Sequence, residues 1–229
     1  MEHPAHLRIG GLAALIGGVG GIVVNAFHPP PPPQTAELLA LVASLPHWAL
    51  LHDAAALAAV LVVVGLALLV HTLEDSEARA LGEAGKYVTV LGAAVFVVAI
   101  VIDGHGYPYY AERWMLAGAD ERASILLAAG VVRTVDLALF PIWTGLFLGM
   151  GMLLIAVALW RSAEYPRTVA AVGILGGGLC LVFSLSTLLG RPMTWIWPAG
   201  PAVGAVWVTA LGVMMLRKIS ARGSQSSPS

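Results

Sequence analysis

Apolar positions gather into six long runs separated by short polar stretches, approximately Ile9 to Phe27, Trp48 to Val70, Tyr87 to Ile102, Leu139 to Trp160, Val169 to Leu189 and Ala199 to Leu216. A helix needs about 20 mostly apolar residues to cross a hydrocarbon core, because lipid offers no partner to an exposed backbone amide. The third run is short if it stops at Asp103. Lys86 can snorkel outward and the polar residues at its far end can lie at the interface, so it counts as a span. The pattern predicts an all-α polytopic membrane protein. A six-transmembrane-helix bundle fills residues 1–220 as a single domain, and residues 221–229 form a short, polar, disordered tail.

The connections refine this picture. His28 is followed by five prolines, which predict a stiff polyproline spacer. Between Gln34 and Pro46, the residues Leu38, Leu39, Leu41 and Val42 fit a short amphipathic helix lying on the membrane surface. Glu74 to Glu83 reads as a solvated turn, with Asp75 and Arg79 spaced to pair. Tyr107, Tyr109, Tyr110 and Trp114 suit the lipid headgroup level. From Ala123 to Trp160 the helical pattern is unbroken for roughly 57 Å, longer than a membrane is thick. Pro141 favours a kink there, so an additional interfacial or half-inserted helix is expected before the fourth span. The pairs Gly17 and Gly21, Gly145 and Gly149, Gly173 and Gly177, and Gly200 and Gly204 have spacing that lets helices approach closely. They argue for a tight bundle and leave room for a homo-oligomer or a membrane protein partner.

Composition agrees: 59% of residues are hydrophobic and 11% charged, against roughly 25% charged in soluble domains. Twelve Lys plus Arg against thirteen Asp plus Glu leaves no basic excess, so nucleic acid is excluded as a partner and the lipid bilayer is the expected one. The lone Cys180, inside an apolar run, excludes a disulfide framework and any CxxC site. Asn25 to His28 does not read as a cleavage site, so the first helix is expected to be retained. Across six spans, eight basic residues (Arg8, Arg79, Lys86, Arg161, Arg167, Arg217, Lys218 and Arg222) share the side of the termini. Four (Arg113, Arg122, Arg133 and Arg191) lie opposite. The positive-inside rule puts the protein in the cell membrane with both termini and the tail cytoplasmic.

Four of the seven histidines then fall on the extracytoplasmic side: His28, His47, His52 and His105, accompanied by Asp53 and Asp103. Imidazole and carboxylate suit zinc, copper or iron, so these six residues are the candidate metal ligands. His52 with Asp53, and Asp103 with His105, are the stronger pairs. Trp48 and His52, four apart, share a helix face. Two histidines from different helices could instead hold a b-type haem, with Arg133 or Arg191 on a propionate or an anionic substrate. The bland alternative is that histidines at helix ends only cap carbonyls or sit among headgroups, and that Arg133 and Asp136 form a structural ion pair. His3 and His6 read as solvated. His71, about 28 Å from His52 along the helix, cannot share its site.

Asn25-Ala26-Phe27-His28-Pro29, Trp48 followed by His52, and Ile102-Asp103-Gly104 together resemble a broad group of uncharacterised multipass membrane proteins of bacteria and archaea. The resemblance implies no activity, but it implies that His28, His52 and Asp103 are the positions to test first. His105 and the five-proline run depart from it. Three functions stay open: a metal or haem protein with redox or hydrolytic chemistry, a small-solute or proton-coupled transporter, and a structural subunit without catalysis.

Overall fold

A computed structural model describes residues 4–225. His3 and residues 226–229, the end of the expected tail, lie outside the described residues. Among the described residues there is no strand, and the helices run α1 (Pro4–Phe27), α2 (Thr35–Ser44), α3 (Trp48–Val70), α4 (Ser76–Val101), α5 (Tyr107–Leu116), α6 (Ala119–Trp143), α7 (Met152–Arg161), α8 (Arg167–Leu188) and α9 (Ala199–Gln225). A π-helical turn (Ile102–Gly106) joins α4 to α5, and a second π segment (Thr144–Gly151) joins α6 to α7. The backbone of α9 stays helical to Gln225, into the stretch expected to be tail.

Six runs are long and apolar enough to cross a membrane: Ala5–Phe27, Trp48–Val70, Ser76–Leu116, Ala119–Arg161, Arg167–Leu188 and Thr194–Ile219. Leu50, Leu57, Leu91, Leu127, Leu175 and Leu188 all stay more than half exposed on outward faces. Water would penalise such a surface, and hydrocarbon does not.

Two runs differ from the sequence pattern. The segment from Glu74 is not a solvated turn, because Asp75 accepts the Ala78 N–H at 2.7 Å and starts α4 at once. Arg79 reaches back to the Leu73 carbonyl instead of pairing with Asp75. The fourth run continues through Pro141 for 43 residues. Proline deprives the preceding turn of a donor, and the π segment begins three residues later, where the hydrogen-bond ladder is re-registered. Ser184 donates to the Pro141 carbonyl at 2.6 Å, so the neighbouring helix α8 satisfies that oxygen.

The extra shorter helix that precedes the fourth span is α2. It does not float on lipid: Leu38, Leu39 and Val42 are buried with Trp48, Tyr107, Ala111 and Ala129. Tyr107 is therefore a core residue, 2% exposed, and not a headgroup anchor. Together α2, α5 and the first half of α6 form a cap over one end of the bundle.

Below the cap, α1 packs between α3 and α9, while α4 packs against the second π segment and α7. Glycine permits the closest approach: a Cβ at Gly92 would lie 2.3 Å from the backbone nitrogen of Phe147. At the end away from the cap, Glu164 accepts the Glu74 N–H at 2.9 Å and Thr72 Oγ1 meets Tyr165 Oη at 2.9 Å. Partial burial works to raise the Glu164 carboxyl, but the hydrogen bond from the Glu74 N–H, with Ser162 and Lys218 nearby, outweighs it and holds the group below its ordinary range.

Candidate metal centre at the capped end of the bundle

His28 follows the last turn of α1, its amide still bonded to the Val24 carbonyl at 2.9 Å before the prolines turn the chain away. His52, one turn into α3, is 1% exposed. Its Nδ1 lies 2.8 Å from the Trp48 carbonyl. Nδ1–H donates there, so in the neutral imidazole Nε2 is the lone pair, and it is this atom that faces His28 and Asp103. His28 Nε2 stands 3.3 Å from that atom and Asp103 Oδ2 stands 3.1 Å from it. One ligand atom from each of the three residues lies within 4.8 Å of the others.

The second residue of the first π turn is Asp103, and its carbonyl accepts the Trp48 indole N–H at 2.9 Å. Gly104 comes next, and a Cβ there would lie 2.6 Å from His52 Cβ, so only glycine lets α3 pass this close. Trp48 packs against both imidazoles, with ring centroids 4.8 Å from His52 and 5.3 Å from His28.

Electrostatics explain why this grouping is unusual. A buried imidazole lone pair and a carboxylate oxygen repel unless a proton or a metal cation lies between them. Asp103 Oδ1 is buried and without a hydrogen-bond partner. Burial, with His52 alongside, holds His28 below the ordinary imidazole value, which favours the neutral, ligating form.

Tyr107 donates to Asp136 Oδ2 at 3.2 Å, and Asp136 lies within electrostatic reach of Asp103, His52 and Arg133. The expected Arg133–Asp136 ion pair is not the arrangement found. Arg133 instead donates through one terminal nitrogen to the Pro32 carbonyl, while its other, Nη1, is buried and unpartnered. His28, His52, Asp103, Tyr107, Arg133 and Asp136 border a cavity of about 360 Å³ that runs from the cap into the bundle.

Of the sequence candidates, His28, His52, Asp103 and Arg133 are brought together here. His47 is exposed at the start of α3, and Arg191 is exposed after α8. Asp53 and His105 pair with each other at 2.8 Å on the exposed surface. The pairings foreseen from sequence are therefore exchanged. Residues one or two apart on a helix face different directions, so Asp53 could not follow His52 inward, nor His105 follow Asp103. Tyr107, four residues after Asp103, was legible by the same rule and was missed, as was the Trp48 indole contact. Trp197 also borders the cavity, its ring 4.6 Å from that of Phe140, whereas Trp195 is 76% exposed. Compared with family models, with curated proteins and with solved structures, the chain matches none.

Proposed function

We propose that this protein is an integral membrane metalloprotein in which His28, His52 and Asp103 hold one divalent transition-metal ion at the head of the internal cavity. The observation that carries the reading is the convergence of three ligand atoms within 4.8 Å, with His52 Nδ1 anchored on a backbone carbonyl so that Nε2 faces the other two. Two imidazoles and one carboxylate form the donor set of catalytic zinc and of non-haem iron, with coordination positions left for water or substrate. Zinc there would lower the pKa of a bound water and so supply hydroxide for hydrolysis, and iron would supply redox chemistry. Haem fits less well. The His28 and His52 ring centroids are 5.1 Å apart with Asp103 beside them, which leaves no room for a macrocycle between the rings.

A second reading, proton-coupled transport, is favoured by the His52–Asp103 contact, which a shared proton would also hold. Elemental analysis of the detergent-purified protein separates the two. Near-stoichiometric zinc, iron or copper is expected, lost in His52→Ala and Asp103→Asn and kept in His105→Ala. Wild type that stays metal-free after incubation with each ion would sink the metal reading.

A further inference from the structure

We propose that the cavity binds a single-chain amphiphile taken from the bilayer, with an oxyanion head, phosphate or carboxylate, between Arg133 and the metal and its hydrocarbon chain alongside α1. The inference rests on the metal reading and deepens it by naming the ligand class.

The void is polar at one end only. His28, His52, Asp103, Tyr107, Arg133 and Asp136 border the capped end, whereas Phe96, Phe147, Met152 and Val208 border the deep end. Water gains little from such an apolar depth, and a hydrocarbon chain gains from it. A volume of about 360 Å³ lies near the lower end of the range of small-ligand sites, about 300–1,000 Å³, which suits a single-chain ligand. The space beside α1 is open: a Cβ at Gly21 would meet nothing within 4 Å, although Gly17 is pressed against α3 and Gly18 against α9. Asn25 and Leu137 border the void and are themselves exposed, so it reaches the surface between α1 and α6, where a chain can enter sideways.

The head end selects the charge. A divalent ion and Arg133 supply three positive charges against two negative ones from Asp103 and Asp136. One anionic group completes the balance, and Arg133 Nη1, buried without a partner, offers it a donor. Without metal the same end is net negative and would repel an oxyanion.

Trp143 and Trp197 border the void, so a brominated chain in it quenches their fluorescence. The probes are ω-bromododecyl phosphate, ω-bromododecanoic acid and, as the uncharged control, ω-bromododecanol, added to detergent-purified protein of measured metal content. Saturable quenching by the anions, at least about tenfold tighter than by the alcohol, is expected. Whichever anion binds tighter identifies the head group. Gly21→Leu and Ala55→Phe, which fill the void, should each abolish it while metal content is kept, and Arg133→Gln should remove the preference for the anions. Bound metal without saturable quenching, or quenching by all three probes alike, would overturn this inference and leave the metal reading standing. Anion-selective quenching without metal would sink the metal reading and, with it, the charge balance on which this head-group assignment rests.

Discussion

Gly104 decides whether His52 and Asp103 can face each other. A methyl group at that position would collide with His52 Cβ, which belongs to the stem of the side chain and cannot swing aside. Gly104→Ala should therefore weaken metal binding by about 10–100-fold, the range typical of disturbing the shell behind a ligand, and chelator competition would measure it. Trp48→Phe deletes the indole donor and leaves the Asp103 carbonyl short of a bond, a cost of about 1–3 kcal/mol visible as a lower melting temperature. The three converging residues were legible in the sequence as polar positions at the ends of adjacent spans. Their partners were only half legible. The rule that i,i+4 neighbours share a face links Trp48 to His52 and Asp103 to Tyr107, but no local pattern says that Arg133 will reach Pro32, 101 residues away.

At the scale of elements, hydropathy located all six crossing runs, because the cost of an unpaired amide in hydrocarbon forces long helices whatever the side-chain detail. The π turns escaped it. Inserting one residue into a helical turn changes no hydrophobic count, and the only local sign was Pro141, which lies just ahead of the second π segment. Helix contacts can be tested at two glycines with opposite surroundings. Gly92→Ala places a methyl against the Phe147 backbone, which cannot yield without moving a helix, so a loss of about 1–3 kcal/mol or more is expected. Gly178→Ala meets nothing within 4 Å and should leave stability unchanged or slightly raised. Equal melting temperatures for the two variants would contradict this packing.

Over the whole molecule, the cap and the membrane bundle are separate hydrophobic clusters joined by helices that run through both. Leu39, fully buried in the cap, has no contact role in the bundle cluster. Leu39→Ala should raise hydrogen exchange in Thr35–Ser44 and Tyr107–Leu116 while α9 stays protected; uniform loss of protection would show that the clusters fold as one. The far end obeys a different rule. Glu164 is held below its ordinary carboxylate range, so its stabilising contribution is complete at neutral pH and fades as the solution is acidified through that range. Glu164→Gln should flatten that acid dependence in a melting series.

The bonds from Glu164 to Glu74 and between Thr72 and Tyr165 join the α3–α4 turn to the α7–α8 turn. Stitched at its base, and clasped at the other end where Arg133 of α6 holds the Pro32 carbonyl on the segment leaving α1, the molecule keeps the imidazoles at a fastened mouth.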